Sequence, residues 1–186
     1  MDPNAELRER QELLERIRPY ALGIGLANVT VDGAAQAAGI AAERLREFFE
    51  TKVDLVLALV ADYRIRIRAK FADLDPSVDD ETFRRKMWQF YLDTAAEGSI
   101  FYEAYGLALH DDHYREFFFG INDWIVLLKE AAIRRGMAKD RAEAFATLTL
   151  AVYRGAMMDV LGSGDRPRVN SAMELWFKAA SFLSKP

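Results

Sequence analysis

Two arginines and two glutamates surround one leucine in Glu43-Arg44-Leu45-Arg46-Glu47, and Lys52 follows closely. A guanidinium in such a run can grip a phosphate or the acceptor edge of guanine. A carboxylate can accept from the amino group of cytosine in a major groove. Leu45, Phe48 and Phe49, at offsets of three and four, give this stretch one apolar face, which leaves the charges on the other. Just upstream, Ala34, Ala35, Ala37 and Ala38 allow close approach to neighbours, and Gly39-Ile40-Ala41 makes a tight connection. Two short helical patterns around such a turn have the spacing of a helix-turn-helix. A helical bundle whose arginines and glutamates merely solvate a surface has the same spacing.

Other candidate chemistry is thinner. His110-Asp111-Asp112-His113 holds the only two histidines, three apart, where they can share a helix face and ligate a metal. No third ligand is fixed nearby, and a helix start capped by Asp111 or Asp112, with both histidines exposed or packed, is the simpler reading, so no metal is assigned. There is no Gly-x-Ser-x-Gly, no phosphate-cradling Gly-Lys-Ser loop and no His-Glu-x-x-His. The expectation is no catalysis and no cofactor. Between residues 83 and 128 bulky side chains accumulate: Phe83, Met87, Trp88, Phe90, Tyr91, Phe101, Tyr102, Tyr105, Phe117, Phe118, Phe119 and Trp124. Singly, each is more simply a core residue. Together they suit a cleft between helices, with Met87, Tyr91, Tyr102, Tyr105 and Trp124 lining it around a small, largely apolar or aromatic molecule.

The elements that must position these groups all read as helices. Leu7, Leu14, Ile17, Ala21 and Leu22 mark a helix over residues 5–22, with Pro19 kinking or shortening its last turn and Gly23 and Gly25 ending it. Thr30 is a natural N-cap for the next helix, and Ala41 leaves the one after it without a side-chain cap. Thr51 and Asp54 resemble a capping box at the start of a helix reaching about Phe71. Ser77 caps a helix over about 78–97, a short aromatic segment covers 99–108, and Asp111-Asp112 open a helix ending at Arg135-Gly136. Asp140 with Glu143 begins a helix to about Leu161, a loop covers 162–167, and a last helix covers 168–184. No stretch alternates with a two-residue period, so the class is all-α, about nine helices.

Composition narrows the setting. A 51% hydrophobic chain of 186 residues can bury a core, and the absence of cysteine excludes disulfides and thiolate metal sites. The polar start, Met1-Asp2-Pro3-Asn4, lacks a signal-peptide pattern, and the longest apolar run, Leu55 to Ala61, falls far short of a membrane span. A cytoplasmic protein without a membrane partner is expected. The net charge is −4, and residues 1–52 carry seven Lys and Arg against nine Asp and Glu. That is not the footprint of a nonspecific nucleic-acid binder, although a few placed cations suffice for groove contacts.

In order and register the chain resembles the TetR family of bacterial transcriptional regulators. The resemblance runs through Thr30-Val31, Ala34-Ala35-Gln36-Ala37-Ala38-Gly39-Ile40, Leu45, Phe48-Phe49 and Thr51-Lys52-Val53-Asp54-Leu55. It continues in Glu103-Ala104, His110-Asp111 and Arg135-Gly136 to Arg154-Gly155. It implies a three-helix DNA-binding head over residues 1–52 and a ligand-binding and dimerisation domain over 53–186. It implies DNA contacts from Thr30, Arg44, Arg46 and Lys52 with a double-stranded operator, a small-molecule inducer, and most simply a repressor. The last two helices carry apolar stripes suited to a four-helix homodimer interface through Tyr153, Met157, Leu175, Trp176 and Phe182. Where the family commonly has Ser, Gly, Thr and Tyr, this chain has Ala41, Glu43, Arg44 and Arg46, which points to an uncommon operator. The rival reading is a helical small-molecule or partner-binding protein whose acidic head has lost DNA affinity.

Overall fold

Leu13, Leu14, Ile17 and Ala21 recur at helical spacing and are buried to within 1% of full enclosure, which fixes the inner face of α1 (Pro3–Ile24). Leu7, expected on that face, is 65% exposed. Pro19 lies inside α1 without ending it, and the helix stops at Gly25 (φ 79°) and a 3₁₀ turn over Leu26–Asn28. The computed structural model describes residues 3–72, 79–115 and 122–184. Among these residues there are nine α-helices and no strand, so the chain is all-α.

Thr30 caps α2 (Val31–Ala38), its hydroxyl accepting from the Gly33 amide at 3.1 Å. Gly39, at φ 68°, closes α2 in the left-handed conformation, with Ile40 N–H donating to Ala35 and Gly39 N–H to Gln36. α3 (Ala42–Arg46) begins uncapped at Ala41 and lasts five residues. Phe48 and Phe49 therefore sit in the turn after α3 rather than on it, with Leu45 and Phe49 fully buried beneath. α4 (Lys52–Ala72) starts with a reciprocal capping box: Asp54 accepts from the Thr51 amide at 2.9 Å, and Thr51 Oγ1 accepts from the Asp54 amide at 3.2 Å.

Ser77 falls outside the described residues, and the cap seen on α5 (Asp80–Asp93) is Asp79, which accepts from the Thr82 amide at 2.9 Å. The expected break near Gly98 lies instead at Thr94, whose hydroxyl donates to the Phe90 carbonyl at 2.8 Å, so α6 runs from Ala95 to His110. α7 is described over Asn122–Arg134. α8 (Lys139–Ser163) starts after an uncapped Ala138, with Asp140 serving as a first-turn acid. α9 (Arg166–Leu183) begins earlier than expected, because Asp165 caps it and Pro167 fits its first turn.

By their contacts the helices form two compact units. One comprises Met1–Arg68 with Ala96–Phe118, the other Ala69–Ala95 with Phe119–Pro186. α6 thus packs in the same unit as α1 to α3 and most of α4. Two α6 carboxylates mark that packing. Glu103 accepts from the Leu26 amide at 2.5 Å, where a side chain at Gly25 would lie 2.9 Å from its oxygen. Glu97 bonds Arg66, which donates to Asp62 at 2.9 Å. Asp62, 4% exposed, also accepts from Gln11 at 2.8 Å and Arg18 at 3.0 Å, so one buried carboxylate ties α4 to α1 and, through Arg66, to α6. In the other unit Tyr153 is fully enclosed and donates to the Arg84 carbonyl at 2.8 Å, while Trp88 Nε1 donates to Asn170 at 2.8 Å.

Candidate nucleic-acid interface

The polar surface of the head is built from three helix ends: the start of α2, all of α3 and the start of α4. Buried Ala34, Ala35 and Ala38 let α2 settle against its neighbours, and Leu45 and Phe49 fix α3 from below. That leaves Glu43, Arg46 and Glu47 exposed and Arg44 half-exposed. The four expected contact residues, Thr30, Arg44, Arg46 and Lys52, lie on this surface or at its edge.

Each of them already holds an internal partner. Thr30 is occupied as the α2 cap. Arg44 bonds Glu9 at 2.7 Å and also Glu47, and its guanidinium lies 4.7 Å over the Phe48 ring. The hydrogen bonds to Glu9 and Glu47 push the Arg44 guanidinium above its ordinary value, against a smaller opposing effect of burial. Arg46 bonds Asp32 at 2.7 Å, bridging α3 to the first turn of α2. Lys52 donates to the Ala27 carbonyl at 2.5 Å. Beside α3 an open depression of about 620 Å³ is lined by Arg10, Arg46, Glu47, Phe48, Glu50, Asp54, Leu57, Ala58 and Ala61. Its three carboxylates against two guanidiniums make this flank unattractive to phosphate. The partners Glu9 and Asp32 escaped the sequence reading because they come from other helices, 35 and 14 residues away.

The arrangement has close counterparts among solved structures. A transcriptional regulator from Rhodococcus sp. Rha1 matches with a TM-score of 0.80 at 17% identity, over 92% of this chain and 95% of that one. A TetR transcription regulator from Haloarcula marismortui matches with a TM-score of 0.73 at 16% identity, over 95% and 96%. The chain has the TetR fold. A multidrug binding protein complexed with imidazole matches at 0.66 and 19% identity, over 94% and 93%. No protein-family profile and no curated protein matches the sequence.

Within this TetR fold the residues expected around a ligand fall into different units. Met87, Tyr91 and Trp124 belong to the unit of α5, α7, α8 and α9; Tyr102 and Tyr105 lie with the head, beside Phe101. Tyr91 packs on Tyr153 at 5.6 Å, and burial pushes its phenol up to about 12, against the lowering effect of Arg154. Trp124 meets the edge of Phe71 at 4.9 Å. Phe117, Phe118 and Phe119 lie outside the described residues. A cavity of about 30 Å³ is lined by Phe83, Arg84, Met87, Leu128, Ala131, Ala132, Arg135, Phe145 and Thr149. Of the five expected lining residues only Met87 borders it, and its size is that of about two waters.

Of the residues expected at a dimer interface, two are interior. Tyr153 and Met157 are at most 1% exposed within their own protomer, because the inner face of α8 packs in its own unit. Leu175 and Phe182 stand out at 69% and 73% exposure, and Trp176 is half-buried. Met158, which sequence reasoning left out, is 63% exposed on α8. His110 and His113 are both exposed, the latter pairing with Asp111 at 2.8 Å, and no group of three metal-ligating side chains occurs among the described residues.

Proposed function

We propose that the chain is a ligand-responsive, DNA-binding transcriptional regulator that acts as a homodimer, most simply a repressor released by a small molecule. The observation that carries this reading is the helix-turn-helix itself: the left-handed Gly39 turn that sets α3 against α2, with Arg44 and Arg46 on its outer side and Thr30 and Lys52 at the flanking helix ends. Its cations are paired, but the pairs are exposed ones, which are weak and readily exchanged for phosphate. Two heads on a symmetric dimer meet half-sites about one helical turn or a multiple apart. Ligand bound in the unit of α5, α7, α8 and α9 releases DNA if it favours, by a few kcal/mol, a head spacing that does not fit. That a multidrug binding protein shares the fold supports the ligand-binding role.

A cytoplasmic setting goes with this reading. Among the described residues α8 alone is long and apolar enough to cross a membrane. Of its apolar stretch 33% is buried in the protein, including Leu150 and Tyr153. Catalysis has no part in the proposal.

A second reading rests on the same head. Glu9, Glu47 and Asp32 occupy the arginines of α3, which also suits a ligand- or partner-binding protein that no longer engages DNA. Gel-shift and protection assays against the DNA flanking the protein's own gene separate the two. A sequence-preferring complex is expected; none at low salt overturns the regulator and leaves the second reading.

A further inference from the structure

Residues Glu43 to Glu47 divide by their angle about α3. Leu45 is fully buried and fixes the side of the helix that faces the protein. At about 100° per residue, Arg44 and Arg46 flank Leu45 on opposite sides, and Glu43 and Glu47 come out about 160° away, on the ridge facing solvent. Glu47 keeps helical angles (φ −65°, ψ −26°), so the ridge continues through it.

The bonds agree with this division. Arg44 turns sideways to Glu9 on α1 at 2.7 Å, and Arg46 turns to Asp32 on α2, also at 2.7 Å. Glu47 is held by Arg44. Glu43 is exposed and has no hydrogen bond or ion pair to any described residue. The outermost side chain early in α3 is thus an unheld carboxylate, preceded only by the methyl groups of Ala41 and Ala42.

In a recognition helix the early residues reach the base edges of the major groove, and side chains at the flanks meet phosphate. A carboxylate on that ridge needs a donor. Guanine and thymine present acceptors there, and the adenine amino group lies beside the N7 acceptor, which repels a carboxylate. Cytosine presents its N4 amino group alone. We infer that Glu43 reads cytosine: its carboxylate accepts from the N4–H of one cytosine in each half-site, while Arg44 and Arg46 serve the backbone to either side. The operator is then specified by a cytosine facing a carboxylate, in place of the commoner guanine facing an arginine. This rests on the DNA-binding regulator argued above and names the base that its α3 recognises.

The test is selection by the full chain from a library of fully randomised DNA duplexes in gel shifts, followed by sequencing of the bound fraction. Wild type should enrich a motif with cytosine at one fixed place in each half, and a T·A pair there should weaken binding about tenfold. Glu43→Gln should move the preference at that place from cytosine to adenine, since a carboxamide pairs with adenine N6 and N7. Glu43→Ala should leave the place indifferent to sequence and raise affinity for random DNA, because a negative charge is removed beside phosphate. Its salt dependence should stay parallel to that of wild type, as no phosphate contact is lost. Both variants should keep the wild-type Tm, since Glu43 is exposed and unbonded. An unaltered motif in Glu43→Ala, or a lost preference that falls on an A·T pair, overturns the inference and upholds the regulator. No enriched motif from wild type overturns both.

Discussion

Arg46 and Asp32 show how single charges set the behaviour of the head. The carboxylate neutralises the guanidinium that faces outward from α3, at 2.7 Å between two exposed side chains. A phosphate must displace that carboxylate and then remain close to it. Asp32→Asn keeps the shape and removes the competitor, so operator affinity should rise about two- to fivefold in gel shifts at moderate salt. Arg46→Ala should weaken binding to all sequences and flatten the plot of log affinity against log salt by about one, the signature of a lost phosphate contact. An unchanged slope removes Arg46 from the phosphate contacts. Opposite shifts from the two substitutions would show that the pair is a brake on DNA binding rather than decoration of the surface.

Among the elements, α4 depends on a charge that no local pattern reveals. Asp62 follows an apolar run and invites reading as a surface residue, yet its side chain is 2% exposed with partners on α1 and α4. Burial pushes its carboxyl up, but bonds from Gln11 and Arg66 and the charges of Arg66 and Arg18 outweigh this and hold it below its ordinary value. A carboxyl lowered by folding contributes stability above its unfolded pKa of about 4, and that contribution is lost as pH falls through the lower folded value. Asp62→Asn should therefore destabilise the chain by about 2–3 kcal/mol at neutral pH, somewhat under the loss for fully buried pairs because Arg18 and Arg66 keep some exposure. The difference from wild type should shrink below pH 4 in urea unfolding; a constant difference would mean the loss is one of packing. What was legible in the sequence follows the same division. Thr30, the Thr51–Asp54 box and Gly39 were readable because a cap is decided within a few residues of chain. The docking of Glu103 on the Leu26 amide is decided by a tertiary partner, since Glu103 lies 77 residues from its donor.

For the whole molecule, the proposed homodimer makes a demand that α8 and α9 can be tested against. Leu175 and Phe182 are seven residues apart on α9, two helical turns, and both are largely exposed. An apolar ridge of this kind is unfavourable in water and suits an isologous pairing, in which each side chain meets its symmetry mate or a neighbour of it. Tyr153 and Met157 cannot serve, since reaching a partner would empty the core of their own unit. The two classes should respond differently to substitution. Leu175→Arg with Phe182→Arg should give folded monomers in sedimentation, with a helical spectrum and a cooperative melt. Met157→Ala should instead lower stability by about 2–4 kcal/mol while the surviving folded protein stays dimeric. Operator binding should fall at least a hundredfold in the arginine variant although the head is untouched, because two linked half-site contacts are stronger than either alone. Dimers persisting in that variant would move the interface off the α9 ridge. Monomers that bind DNA as tightly as wild type would dissociate the head's function from symmetry altogether.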